Sequence, residues 1–396
     1  MKWASSISTQ TSLETAAIET IGAVQTQLRE ADADLVMVFV SPGYDDAIAR
    51  LPRLLRNAFP KARIVGCTGG GIAGDRQEIE EGVALSLIAA VLPDVAVKPF
   101  HLTDDALPGA DADPTTWRAP FGLEPEHQPA FILLPDPFSF NVAQLLDGLD
   151  KAYPNAPKVG GMASGGERPG QNALILDDRL YRAGMVGFAI YGDIQVGTIV
   201  AQGCRPIGAP MTITRARRNF IFEMDEQEVI PILEDMFETL TPKEKVLFQR
   251  SPMMGVAMNP NKDDLRPGDF LIRNIHGVSR QTGGLAINAL AQVGQVVQFH
   301  IRDAETSAIE LQELLERFRR QPGFEPPAGA VMFSCLGRGA RFYGEPHHDT
   351  LAVIDKLGHV PMSGFFCNGE IGPVHGQTFL HGYTSAFALF TPRGWS

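Results

Sequence analysis

A hydroxyl, a thiol and a guanidinium follow one apolar run of this sequence, in the segment 333–339 with sequence FSCLGRG. The apolar run at 331–333 is typical of a buried strand. Open α/β sheets bind ligands where strands end, and glycines let backbone amides approach a ligand closely. The segment therefore indicates a ligand site; the alternative is a structural role, with Cys335 in the core and Arg338 in a surface ion pair. The candidate ligand contacts here are Ser334, Cys335, Gly337, Arg338 and Gly339.

Two further arginines follow predicted strands. Arg273 comes after the strand at 270–272, and Arg302 comes after the strand at 296–301. Because a guanidinium binds a carboxylate with two parallel hydrogen bonds, both are candidates for holding the anionic end of a ligand. Glu370, in a glycine-rich turn, is the candidate for a ligand amine. A structural ion pair at Arg302 and a turn role for Glu370 are the alternatives.

Glycines at 69–71 and 74 satisfy the pattern G-x-G-x-x-G after a strand. A dinucleotide site needs a helix to begin there, since the helix N-terminus holds the pyrophosphate. Residues 75–82 are instead acidic and aperiodic, and acidic groups would repel a pyrophosphate. We therefore expect a glycine turn that lines a cleft, or a purely structural turn. The candidate contacts in the first case are Cys67, Thr68 and Gly69.

The sequence lacks the patterns that are typical of several other chemistries. No G-x-S-x-G nucleophile elbow occurs, because the serine in 161–165 stands one place late. The segment 345–349, EPHHD, has adjacent histidines that would point in different directions on a helix, so it predicts a helix start rather than a metal site. The four cysteines form no CxxC pair, which excludes a cysteine zinc finger. The sequence predicts no metal and no cofactor.

Composition narrows the range of partners and compartments. The chain has 396 residues, with 46 acidic and 34 basic side chains and a net charge of −12. Such a balance argues against nucleic-acid binding but allows a small anion at a buried arginine. The longest apolar run, 83–92, is about half the length of a membrane span. With no signal peptide pattern and no paired cysteines, we expect a cytoplasmic protein.

The elements that must position these residues recur along the chain. The order strand, helix, strand, glycine turn and strand occurs three times, which predicts a repeated α/β unit, mixed β-sheets and helices on the outside. A helix at 13–28 begins with a capping pattern at Thr11 and Glu14. Residues 104–129 resemble a surface loop, and the domain boundary is expected near 205–225. The predicted copies span strands, helices and turns at 35–92, 131–191 and 331–390.

Several motifs resemble the FIST family, over roughly residues 30–390. The N-terminal half resembles the N-terminal FIST domain, and the remainder resembles the C-terminal FIST domain. The resemblance implies two pseudo-repeated domains, 1–215 and 216–396, in a sensory protein that binds small ligands. The motifs are VGCTGG at 65–70, VGG at 159–161, GDFLIRNI at 268–275, FHIRD at 299–303, FSCLGRG at 333–339 and GEIGP at 369–373.

Three functional hypotheses follow. The first is a cytoplasmic signal-transduction sensor whose ligand is an amino acid or another small carboxylate, and which passes its signal to a separate protein partner. The second is an enzyme with Cys335 or Cys67 as a thiolate nucleophile and Arg338 lowering the thiol pKa. The third is a protein-interaction scaffold. The sequence favours the sensor over an enzyme.

Overall fold

The chain forms two compact units, and the second is an insertion in the sequence of the first. The structure, a computed structural model, describes residues 1–262, 264–279 and 281–393. The first unit consists of Met1–Val200 and of the described chain from Leu311 onward, and the second is Ala201–Glu310. Among the described residues, no helix has both the length and the apolar character needed to cross a membrane.

The first unit contains the predicted strand–helix–strand pattern three times. The first copy comprises β1 (Lys2–Ser8), α1 (Leu13–Leu28), β2 (Leu35–Val40), α2 (Leu51–Ala58), β3 (Arg63–Thr68), β4 (Gly71–Gly74), β5 (Gln77–Ile79) and β6 (Leu85–Val91). The second comprises β7 (Val95–Leu102), α3 (Pro114–Arg118), β8 (Ala130–Pro135), α4 (Val142–Ala152), β9 (Lys158–Gly161), β10 (Leu174–Leu176), β11 (Arg179–Tyr181) and β12 (Met185–Gly192). The third copy begins with β13 (Gln195–Ala201) and resumes after the insertion.

The insertion supplies the second unit, a sheet of antiparallel strands in the order β14-β20-β17-β18-β19-β15-β16. Its elements are β14 (Cys204–Arg217), β15 (Phe220–Met224), β16 (Gln227–Glu228), α5 (Val229–Thr239), α6 (Pro242–Arg250), β17 (Pro252–Ala257), β18 (Phe270–Ser279), β19 (Gly284–Ile287) and β20 (Val296–Arg302). The third copy then continues with α7 (Ala304–Arg319), β21 (Gly329–Cys335), α8 (Ala340–Tyr343), α9 (His348–Leu357), β22 (Met362–Cys367), β23 (Glu370–Val374), β24 (Gln377–His381) and β25 (Ser385–Thr391).

Each of the three sheets in the first unit is completed by a hairpin from another copy. The strand orders are β1-β6-β2-β3-β10-β11, β7-β12-β8-β9-β23-β24 and β13-β25-β21-β22-β4-β5. The pairs β2–β3, β8–β9 and β21–β22 are parallel. The hairpin of the second copy pairs with the first, that of the third with the second, and that of the first with the third. The exchange is therefore cyclic, and the three copies form one unit.

The central strands are buried on both faces, which explains their continuous apolar runs. One face lies in a core that the three sheets share, where the rings of Phe39, Phe333 and Phe365 pack with centroids 5.0–6.5 Å apart. The opposite face of the first sheet packs against α1 and α2, and that of the second against α3 and α4. The predicted mixed sheets with outer helices are thus confirmed.

One glycine recurs in each parallel pair for a steric reason. A Cβ atom on Gly66, Gly160 or Gly364 would lie 2.0, 2.0 or 2.2 Å from a carbonyl oxygen of the facing strand. No side chain fits at such a separation, since the obstructing atom belongs to the backbone. Part of the glycine excess therefore reflects close strand packing, and the turns account for another part.

Some sequence-based expectations for individual elements were wrong. Ser12, rather than Thr11, caps α1, because its side chain accepts the N–H of Thr15. Residues 71–74 form strand β4 instead of a turn, since they pair with β22. The connection 104–129 includes the short helix α3, whose Trp117 is buried. The segment 205–225 holds β14 and β15 of the second unit. The domain boundary expected near this segment, and the division at 215/216, stay predictions.

Candidate functional site

The three copies share one type of strand exit. Ser41, Asp136 and Cys335 stand at the carboxyl end of the first strand of each parallel pair. The backbone N–H of each donates to the carbonyl oxygen of the residue before the copy's last strand, in every case at 2.9 Å. This shared hydrogen bond fixes equivalent positions, but the side chains differ, so only the third copy carries a thiol there.

Loops from all three copies meet beside these strand exits. A Cβ atom on Gly70 would lie 2.6 Å from Leu336 Cδ2, and one on Gly165 would lie 2.5 Å from Pro42 Cγ. The N–H of Gly70 donates to Ser164 Oγ at 2.8 Å. Leu336 is 44% exposed, so this meeting point reaches the surface.

Two thiols and a carboxyl lie directly below that surface. The buried Glu370 accepts the backbone N–H of Thr384 at 3.0 Å through Oε2, and Cys367 Sγ lies 3.4 Å from its Oε1. The Cys335 thiol also hydrogen-bonds to this carboxyl. Burial raises the pKa of Glu370 to about 8, against the opposing effects of these donors and of the Arg338 charge. The carboxyl is therefore mostly protonated at pH 7.

A buried ion pair stands behind the same strand exit. Arg338 Nε and Nη2 donate to Asp349 Oδ2 and Oδ1 at 2.9 and 3.0 Å. Ser334 Oγ donates to Oδ2 at 3.0 Å, and His348 Nδ1 lies 3.0 Å from Oδ1. Burial alone would raise the pKa of Asp349, but the Arg338 charge and the hydrogen bonds from His348 and Arg338 hold it well below its usual value. One edge of the guanidinium is thus engaged within the protein.

The exchanged hairpin of the first copy covers this ion pair with two more carboxyl groups. Glu78 Oε1 accepts the N–H of Thr350 at 2.7 Å, and Glu80 Oε1 accepts the N–H of Ala340 at 2.7 Å. The Glu80 carboxylate fills the place where a Cβ on Gly339 would lie, which explains glycine at that position. Burial first, then the nearby charge of the ion pair's aspartate, raises the pKa of Glu78 to about 8.

Glycine is required at 339 for a second reason, its backbone conformation. Gly339 has φ of +96°, and a residue with a side chain adopts this conformation only at a cost in free energy. The neighbouring Gly337 is half-buried. The predicted segment 333–339 is thus brought together with Glu370, whereas its function as a ligand site stays a prediction.

The candidate residues of the first copy lie within the packed interior. Cys67 and Thr68 are completely buried. Burial raises the pKa of the Cys67 thiol well above its usual value, and Thr68 Oγ1 accepts the N–H of Ala173 at 3.0 Å. A Cβ on Gly69 would lie 2.6 Å from Phe365 Cβ. Close packing therefore accounts for these three residues.

The other two predicted arginines belong to the second unit. Arg273 lies inside β18 rather than after a strand, because the strand continues to Ser279. Arg302 is the last residue of β20, whereas we expected it to follow the strand. Burial lowers the pKa of Arg273. The adjacent Asp303 lies 3.7 Å from Arg205. Neither arginine belongs to an element that carries the thiols and Glu370.

Sequence reasoning missed several polar residues of these clusters. Asp349 lay in the segment interpreted as a helix start, which is correct, since α9 begins at His348. Glu78 and Glu80 had no local signal, because their partners lie 272 and 260 residues away. A comparison of the residues at the strand exits of the three copies would have identified Asp136. Its Oδ1 accepts a hydrogen bond from Asn172 Nδ2 at 2.9 Å. Among the described residues, no group of three or more His, Cys, Asp or Glu side chains is arranged to hold a metal ion.

Comparison with known proteins gives matches along nearly the whole chain. An uncharacterized protein of Mycobacterium tuberculosis is 34% identical over 385 residues, which cover 97% of this chain and 98% of that protein. An uncharacterized protein of Mycobacterium bovis is 33% identical, with 95% of each chain covered. An F-box/LRR-repeat protein of Arabidopsis thaliana is 23% identical over 56% of this chain and 44% of its own.

A solved structure with similar extent is a cyanuric acid hydrolase from A. caulinodans. It has 9% identity and a TM-score of 0.35 over 99% of both chains, which is too distant to support an inference. Two family models match: the FIST N domain covers residues 34–227, and the FIST C domain covers residues 232–373. FIST domains are a small-ligand-binding sensory family. The chain therefore belongs to the FIST family.

Proposed function

We propose that this protein is a sensor whose ligand is an amino acid or another small carboxylate, bound beside the strand exit at Cys335. The observation that carries the proposal is a buried guanidinium and a buried carboxyl, those of Arg338 and Glu370, beside a half-exposed Cys335 and an exposed Leu336. Ligand sites place a few convergent polar groups in a largely apolar wall. The family's small-ligand character supports the same interpretation.

The two charged groups take different parts in this proposal. The ionised form of Glu370 binds the ligand ammonium, as the sequence suggested. Arg338 contributes its positive charge to the ligand carboxylate. Because Asp349 occupies the Nε–Nη2 edge, a ligand carboxylate gains a bidentate contact at that edge only if Asp349 gives it up.

The sensor's output is also part of the proposal. We propose that a separate signalling protein receives the signal, and the sensory character of the FIST family supports this proposal. We place the protein in the cytoplasm because its four cysteines are thiols, as expected in a reducing compartment.

The enzyme alternative has less structural support. Cys67 is completely buried, and burial raises its thiol pKa. Cys335 is accessible, but its thiol lies beside the Glu370 carboxyl, while Arg338 is engaged by Asp349. A catalytic thiol must be largely ionised at neutral pH, which a neighbouring cation favours and a neighbouring carboxyl does not.

A thermal-shift screen of amino acids and small carboxylates tests the proposal. At a ligand concentration of 100 Kd, binding stabilises the folded state by about 2.7 kcal/mol, which raises Tm by roughly 4–5 °C for a unit of this size. We expect the same ligand to stabilise the wild type and Arg341→Lys, whose arginine is exposed on α8. We expect it not to stabilise Arg338→Lys. The proposal fails if no compound stabilises the wild type at millimolar concentration, or if Arg338→Lys responds like the wild type.

A further inference from the structure

We propose that Cys335 and Cys367 are an oxidation-sensitive thiol pair, and that hydrogen peroxide converts them to a reversible intramolecular disulfide. This is a modification site beyond the ligand-binding role, and it does not depend on what the ligand is. It rests on the register of two strands, on the convergence of two thiols at one carboxyl, and on the unequal exposure of the two cysteines.

The strand register brings the two cysteines together. Cys335 and Cys367 are direct partners across the parallel strands β21 and β22. Neighbouring strands lie about 4.8 Å apart, and disulfides join Cα atoms about 4.4–6.8 Å apart. Partners in register on parallel strands also point to the same face of a sheet, so both thiols lie on one side.

The two thiols converge on the same carboxyl group. Cys367 Sγ lies 3.4 Å from Glu370 Oε1, and the Cys335 thiol hydrogen-bonds to this same side chain. A common hydrogen-bond partner requires that both sulfur atoms point inward to one place. In its ionised form, this carboxyl can also accept the proton that a thiol loses when it reacts.

Unequal exposure assigns the two thiols to different steps. Cys335 is partly exposed at the strand exit, whereas Cys367 is completely buried. Cys67 offers an internal comparison, because it is completely buried and its in-register partner on β2 is Phe39. Cys335 is thus a partly exposed cysteine with a second cysteine beside it, whereas Cys67 is a buried cysteine that faces a ring.

The reaction balances in two steps. Where Glu370 is ionised, it takes the proton of the Cys335 thiol, and the thiolate attacks one peroxide oxygen. The O–O bond breaks, Cys335 becomes a sulfenic acid, and the departing hydroxide takes the proton from Glu370 and leaves as water. Glu370, ionised again, takes the proton of the Cys367 thiol, whose sulfur attacks the sulfenic sulfur. The S–S bond forms, the S–O bond breaks, and the departing hydroxide takes the proton from Glu370 and leaves as a second water. Together, the two thiols lose two electrons and two protons, and peroxide is reduced to two waters.

Mass spectrometry after peroxide treatment tests the pair. Tryptic cleavage separates the cysteines, with Cys335 in peptide 321–338 and Cys367 in peptide 357–393. We expect the wild type to lose two hydrogens, to yield these two peptides joined together, and to regain its starting mass with dithiothreitol. Cys67→Ser is the matched control and should behave like the wild type.

Two serine variants separate the two steps. Cys367→Ser should accumulate a sulfenic acid on Cys335 that dimedone traps, and Cys335→Ser should leave Cys367 unmodified. The proposal is overturned if wild-type Cys335 proceeds to sulfinic acid without linked peptides, if Cys335 resists peroxide, or if another cysteine joins it. If either variant fails to fold, the peptide map of the wild type alone shows whether Cys335 and Cys367 form the disulfide.

Discussion

Replacing Arg338 by methionine removes one partner of a buried ion pair and leaves Asp349 buried without its main countercharge. Both side chains are almost completely buried, at 0% and 2% exposure. Removing one partner of such a pair costs about 3–5 kcal/mol. Because Asp349 keeps its contacts with Ser334 and His348, we expect the lower end, about 3 kcal/mol.

Replacing both partners should cost less than replacing one. Exchanging a buried ion pair for apolar residues of similar volume often leaves stability unchanged. The free energy of unfolding of Arg338→Met/Asp349→Leu should therefore lie within about 1 kcal/mol of the wild-type value. The matched control is Arg320→Met, which breaks an exposed pair with Glu316. Exposed pairs contribute about 1 kcal/mol or less, and the control should change stability no more than that.

Urea unfolding followed by tryptophan fluorescence measures these differences. Trp3 and Trp117 are buried in the first unit, so their fluorescence follows the unit that contains the ion pair. The reasoning would be refuted by a cost below about 1 kcal/mol for Arg338→Met. It would equally be refuted if the double variant lost as much stability as Arg338→Met and Asp349→Leu added together.

Three further predictions concern pH and packing. The raised pKa values of Glu78 and Glu370, about 8 in the folded state, mean that the folded chain binds more protons than the unfolded chain between about pH 4.5 and 8. The free energy of unfolding should therefore fall as pH rises through this window. Urea titrations at pH 5, 7 and 9 should show a weaker pH dependence of this free energy for the double variant Glu78→Gln/Glu370→Gln. Binding of an amine ligand requires ionised Glu370, so calorimetry should show affinity rising from pH 6.5 to 8.5; a constant affinity would contradict the role of that carboxylate. Gly160→Ala should destabilise the fold by about 3 kcal/mol or more, because its Cβ would meet backbone atoms. Gly22→Ala, on helix α1 with open space around it, should stabilise the fold by up to about 1 kcal/mol. Equal effects of the two substitutions on the urea midpoint would exclude this steric explanation.

The repeated unit was predictable because its signals are local. A continuous apolar run such as 35–40 predicts a strand buried on both faces, and the glycine turns mark where such strands end. The hairpin exchange was not predictable, since the residues of β4 carry no mark of the distant strand with which they pair. Strand pairing between copies is decided by the whole fold.

The candidate site was predictable only in part for the same reason. Cys335 and Arg338 stood out because they follow an apolar run, and Glu370 because it lies in a glycine-rich segment. The structure brings these three together. The partner of Arg338 could not be read from its own segment, because Asp349 approaches only when α9 packs against the strand exit. Arg273 was misplaced because its strand continues past the apolar residues that signalled it.

Isothermal titration calorimetry of Glu370→Gln tests the central claim most directly. The variant keeps the shape of the side chain and removes its charge, while Glu345→Gln is the control at an exposed position. With the best amine-bearing ligand at pH 8.5, loss of a charge-assisted hydrogen bond of about 1.5–3 kcal/mol should weaken binding by roughly tenfold to a hundredfold. Glu345→Gln should bind like the wild type. Equal dissociation constants for Glu370→Gln and the wild type would contradict a ligand site at this strand exit.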